Sequence, residues 1–141
     1  MASGVYTKGL FGLMNGDIDL TGGDIRALLV DDAYTFDRTH NFVSDVVAAE
    51  YSGTNYARKT LASEALTEDD TNHWVKFASE NQVWTALGAN ASAGRGIVFY
   101  LYNAADGSAL LICFCQFTDT NGNGGDFTVA CPTNGWFYIS S

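Results

Sequence analysis

The sequence predicts a mainly β fold: an antiparallel β-sandwich or barrel-like domain with one short helix. Runs rich in Val, Ile, Phe and Tyr recur along the chain, each bounded by Gly, Asn and Asp clusters that signal turns. About eight to ten such runs follow one another at roughly 8–12-residue spacing, the rhythm of sandwiches and barrels. Fifteen Gly and a single Pro supply tight turns with few strand breaks.

The stretch 94–139 organises the chain and reads as a β-meander of four runs, 96–102, 110–117, 127–131 and 136–139. Asn103 to Ser108, Asn121 to Asp126 and Pro132-Thr133-Asn134-Gly135 separate them. The first two runs are apolar almost without a break, whereas a half-exposed strand alternates. They are expected to be covered on both faces, by a second sheet and also by a neighbouring subunit. A buried helix is disfavoured, because each run is short and rich in β-branched and aromatic residues.

From the start of the chain, 5–14 is apolar and fits a short helix or a strand, Gly9 and Gly12 weakening the helix. Asn15-Gly16 is a turn, 17–20 alternates like a short strand, and Thr21 to Asp24 turns again. The run 25–30 is a strand entering the core, and 31–42, with Tyr34, Phe36 and His40, is a loop. Residues 44–50 predict the one short helix, N-capped by Ser44, with Val46 and Val47 facing inward. Residues 51–56 turn, and 57–66 is taken as a strand in preference to a helix. An acidic turn at 67–72 leads to a strand at 73–78; Val83-Trp84 belongs to another, and 88–94 is a linker of small residues. No repeat or boundary divides the chain, so 1–141 is one β-rich domain, long enough to bury roughly two-thirds of its unfolded surface. Residues 1–14 are a candidate N-terminal arm ordering against a neighbour, with an ordinary first strand as the equal alternative.

The net charge is −9 and the seven Lys and Arg form no cluster, which argues against binding nucleic acid or anionic membrane. No apolar run approaches transmembrane length and no signal-peptide pattern is visible. Synthesis and folding in a cytosol are expected, where the sequon Asn90-Ala91-Ser92 carries no meaning. Of the three cysteines, Cys113 and Cys115 share a strand face and Cys131 stands apart. Without a C-x-x-C pattern or a nearby His, buried reduced thiols are expected, with a metal or disulfide role as the alternative.

The segment Asp119-Thr120-Asn121-Gly122-Asn123-Gly124 matches the first half of a calcium loop, so Asp119, Asn121 and Asn123 are weak metal candidates. The twelfth position is Ala130, where the loop needs a bidentate Glu, and a long Gly/Asn hairpin turn explains the same letters. Asp17, Asp19 and Asp24 suit solvated turn and edge positions better than a carboxylate pair. His40 and His73 accompany no nucleophile turn. Gly94-Arg95-Gly96 lacks phosphate-loop spacing, and Arg95 is expected to pair with a carboxylate. Trp74, Trp84 and Trp136 are expected to anchor a core or an interface. These residues predict neither a catalytic centre nor a cofactor.

Several pieces nevertheless recur together: Gly16 to Leu20, Ile25 to Val30, Phe42 to Val46, and Glu50-Tyr51-Ser52-Gly53-Thr54-Asn55-Tyr56. Arg58 to Leu61, Trp84, Ala93 to Gly96, Asp126 to Val129 and Gly135-Trp136-Phe137 follow in order. In that order and spacing the chain resembles a group of small structural proteins of tailed-bacteriophage virions, of the head decoration (cement) type. The resemblance implies a virion component without catalytic residues. It would sit on the outer capsid surface, bind the major capsid protein and its own copies, and be made in the bacterial host cytoplasm. A trimer would match the local three-fold symmetry of an icosahedral shell, and the acidic balance suits a position away from the genome. Val5, Tyr6, Leu10, Phe11, Tyr34 and Phe36 are the interface candidates. The alternative is a tail, neck or fibre-associated virion part, with Tyr34, Phe36 and Tyr51 as an exposed host-binding surface. A small hydrolase or lectin is a third reading.

Overall fold

The computed structural model describes residues 3–141. Its elements in chain order begin with β1 (Gly4–Val5), α1 (Thr7–Asn15), β2 (Ile25–Asp31), β3 (Lys59–Thr60) and β4 (Ala65–Asp69). There follow β5 (Trp74–Ala78), β6 (Gln82–Trp84), β7 (Gly94–Leu101), β8 (Leu111–Thr120), β9 (Phe127–Val129) and β10 (Phe137–Ser140). The chain is mainly β, sandwich-like and antiparallel throughout. Its five-stranded sheet has the order β1-β8-β7-β2-β3, and the facing layer holds a three-stranded sheet β10-β5-β4 and a pair β6-β9.

The apolar runs of β2, β7 and β8 bury both faces of the large sheet, and their side chains alternate between two cores. Ala27, Leu29, Ile97, Phe99 and Cys113 face the smaller sheets and pack with Phe77, Trp84, Val129 and Trp136. Leu28, Val30, Val98, Tyr100 and Phe114 face the other way, against Tyr6, Tyr34, Val43, Val46 and Ala49. The second sheet is therefore present as expected. The opposite cover is the loop following β2, with its two 3₁₀ turns, and not a neighbouring subunit.

That loop is clamped by ionic contacts. Arg58 donates from Nε and Nη2 to Glu50 at 2.8 and 2.7 Å, and from Nη1 and Nη2 to Asp106 at 2.8 and 3.1 Å. Tyr56 donates its hydroxyl to the same Glu50 at 2.7 Å. The Arg58 guanidinium holds the Asp106 carboxyl below the usual carboxylate range.

Several expected elements are placed differently. The predicted meander stops after the β7–β8 hairpin, because β1 occupies part of the far edge of β8, pairing Gly4 with Phe114 and Val5 with Cys113. β9 and β10 cross to the facing layer and pair with β6 and β5. The helix is α1, not 44–50. It ends at Gly16, whose φ of 87° is left-handed. Gly9 suits it because a Cβ there would lie 2.5 Å from the Leu111 carbonyl oxygen. Residues 4–15 are thus tied to their own sheet instead of forming an arm; Met1 and Ala2 of that expected arm lie outside the described residues.

In place of the 44–50 helix stand 3₁₀ turns at Val43–Asp45 and Val47–Ala49. The capping group is Asp45, not Ser44: its Oδ2 accepts from the Asn41 and Phe42 N–H groups at 2.8 and 3.1 Å. Three-residue periodicity buries Val43, Val46 and Ala49 and turns Val47 outward. Residues 17–20 form turns, with Asp19 accepting from the Thr21 and Gly22 N–H groups. The expected strand 57–66 is split between two sheets, β3 and β4, at Ser63, whose φ is 58°.

Candidate interaction surface

One groove of about 600 Å³ opens where the edges of the two layers converge. Ser3, Gly4 and Val5 line it from the β1 side and the last strand residues Phe137 to Ser140 from the other, and Leu10 of α1 also lines it. Cys115 Sγ donates to the Trp136 carbonyl at 2.8 Å, joining β8 to the residue before β10.

Strand alternation decides which backbone groups face outward. Ser141 N–H donates to His73 C=O at 2.9 Å. Backbone groups of an antiparallel strand turn to the same side every second residue, so Ile139 also faces β5 while Tyr138 and Ser140 turn their N–H and C=O away from it. Likewise Tyr6 N–H donates to Ile112 C=O at 3.0 Å, which directs the Val5 backbone away from β8. β10 reads Phe-Tyr-Ile-Ser, without the charge, proline or bulge that usually blunts an edge.

Exposed apolar side chains lie at this opening, on α1 and on the sheet that carries β10. Leu10, Phe11 and Met14 are exposed on α1, and Tyr138 and Ile139 on β10. Val75 is exposed opposite Ile139, and Leu66 lies one pair along the same face of the β4–β5 hairpin. The groove lining contains no Asp or Glu; its one charged side chain is Arg38. Arg38 lies over the Phe36 ring and forms no ion pair among the described residues.

The interface residues expected from the sequence divide in two. Val5, Leu10 and Phe11 come together at the groove and the adjoining helix face. Tyr6 and Tyr34 are 0% and 4% exposed, and their hydroxyls hydrogen-bond each other at 2.7 Å. Phe36 stacks on Phe114 at 5.6 Å. These three pack the second core, because the sheet face beneath the loop needs a cover. Burial raises the Tyr6 and Tyr34 hydroxyl pKa values. Tyr51 is also buried, its hydroxyl 2.6 Å from the Gly88 carbonyl and 2.8 Å from Asn121 Oδ1. The expected exposed surface of Tyr34, Phe36 and Tyr51 does not form.

The weak metal candidates are engaged in structural contacts, Asp119 in an ion pair between β8 and β7 and the two asparagines in loop hydrogen bonds. Asp119 accepts from Arg95 Nη2 and Nε at 3.0 and 3.2 Å, which lowers its carboxyl pKa. Asn121 accepts from the Asn90 N–H and donates to the Asn90 carbonyl, both at 2.9 Å, and Asn123 accepts from the Gly125 N–H at 2.9 Å. Arg95 finds its expected carboxylate. Trp84 and Trp136 are core residues, whereas Trp74 packs on Tyr138 at the surface, centroids 5.1 Å apart. The sequence reading missed Arg38, Leu66, Val75, Tyr138 and Ile139; the only signal was the uncharged run 136–139, whose edge position depends on topology.

Comparison with protein-family models, with curated proteins and with solved structures finds no match.

Proposed function

We propose that this chain is a structural protein of a tailed-phage virion, decorating the outer capsid by binding the major capsid protein and its own copies. The observation that carries this reading beyond the sequence resemblance is the exposed apolar face of α1, continuous through Leu10 with the groove at β10. Leu10, Phe11 and Met14 on one short helix are an unusual outlay of apolar surface for a protein of net charge −9. A clamp works by burying such surface across subunit junctions, so that breaking the shell also exposes the interface. A trimer on local three-fold positions remains the expected assembly. Purified protein added to undecorated heads should bind saturably, in hundreds of copies, and raise their melting temperature. Binding to cells or glycans with none to heads would defeat this reading.

A tail, neck or fibre-associated role is the second reading. It is favoured by a shallow polar recess lined by Thr67, Asp69, Trp74, Lys76 and Asn134, a mixture suited to a host glycan. A handful of copies per virion would select it.

A further inference from the structure

We infer that the groove between β1 and β10 takes an extended peptide segment of a partner protein, bearing a carboxylate, as an added strand on β10. The inference deepens the preceding reading and rests on it for the existence of a protein partner; the chemistry of the occupant comes from the groove.

Two independent observations fix that chemistry. The first is backbone valence. Tyr138 and Ser140 direct N–H and C=O groups away from β5, and Val5, on β1, directs its own away from β8. Paired donors and acceptors at strand spacing are matched by another extended backbone, the mode called β-augmentation. The side chains alternate to suit it: Ile139 shares the face of Val75, and Tyr138 shares the opposite face with Trp74.

The second observation is charge. The chain carries 16 acidic and seven basic side chains, yet no acid lines the groove. Arg38 lines it without an ion-pair partner, and Lys8 of α1, lying 5.8 Å from the Phe11 ring, also has none among the described residues. Residues 1–16 hold no Asp or Glu at all. This side is therefore basic on an acidic molecule, and favours an anionic segment over a neutral or cationic one.

The test uses the full chain, ¹⁵N-labelled, titrated with the capped peptide acetyl-Val-Thr-Val-Asp-Val-Thr-amide and its Asp→Lys counterpart. The expected result is saturable shifts centred on the Tyr138 and Ser140 amides, with the Asp peptide binding at least about fivefold more tightly than the Lys peptide. Raising the salt should narrow that gap. Arg38→Glu should reverse the preference. Ser140→Pro removes an outward N–H that no neighbouring strand uses, so it should abolish binding while leaving the melting temperature nearly unchanged. Shifts located elsewhere, equal binding of both peptides, or no saturation would overturn the inference. So would self-association of the free chain through β10 that Ser140→Pro relieves, which would make a second copy the occupant. Head binding measured on the same samples separates the two ideas. Heads bound without peptide sinks only this inference, and peptide bound without heads sinks only the virion reading.

Discussion

At the residue scale the most informative side chain is Arg58. Its guanidinium serves Glu50 and Asp106 together, and joins the chain before β3 to the β7–β8 connection. The Glu50 side chain is only 14% exposed, so removing Arg58 strands a carboxylate with little water to replace it. Arg58→Met should cost about 1–3 kcal/mol, discounted for partial exposure, and lower the Tm by several degrees. The pH dependence follows from Asp106. Its folded-state pKa is depressed, so its contribution is present above the unfolded value of about 3.9 and is lost as pH falls through the folded one. Thermal melts from pH 5 to pH 2 should show stability falling in the parent chain. The fall should be shallower in Arg58→Met, where Asp106 has lost its partner. Asp19, Asp37, Asp45 and Asp69, depressed by their own turn hydrogen bonds, and Asp119, depressed by Arg95, should keep the remaining acid sensitivity in both proteins. An identical acid limb in the two proteins would show that Arg58 does not act through Asp106.

At the element scale, α1 shows why local preference misleads here. Two glycines weaken a helix in isolation by about 1 kcal/mol each, and the segment is ambiguous in sequence for that reason. What compensates is close approach: Gly9 lets the helix lie on the backbone of β8, and a Cβ would strike the Leu111 and Ile112 carbonyls. Those are main-chain atoms of β8, held by its pairing with β7, and cannot swing aside. Gly9→Ala should therefore destabilise the fold despite the better helix former, with a Tm several degrees lower. A neutral or raised Tm would mean that α1 is not docked as described. The same contrast explains what the sequence made legible. β7 and β8 are legible as runs apolar almost without a break and β2 as a strand entering the core, since burial on both faces favours apolar residues at successive positions. The helix expected at 44–50 failed because Asp45 caps from within and the valines fall at three-residue spacing. The pairing of β9 and β10 was hidden altogether, because it depends on β1 filling an edge more than a hundred residues away in sequence.

At the scale of the whole molecule, the proposed role turns on which surface would bind a capsid subunit. Sequence alone placed six aromatic and aliphatic residues at an interface; the fold withdraws Tyr6 and Tyr34 into its own core and leaves Phe36 half-buried over it. Burial could not be read from the loop 31–42, whose polar letters conceal that its aromatics roof the sheet. Of the six, Val5 lines the groove and Leu10 and Phe11 stay outside; Met14 joins them on α1, and Phe11 and Met14 are 60% and 82% exposed. Side chains so open contribute little to folding, so replacing both should leave the Tm within a degree or two. The double substitution Phe11→Ser and Met14→Ser should then separate stability from assembly. If α1 contacts the shell, the variant folds and melts like the parent but binds undecorated heads at least about tenfold more weakly, since each buried apolar side chain is worth about 1.5–3 kcal/mol. Unchanged saturation on heads, measured by sedimentation of decorated particles, would move the contact to the β10 side of the molecule and leave the helix face to a different partner.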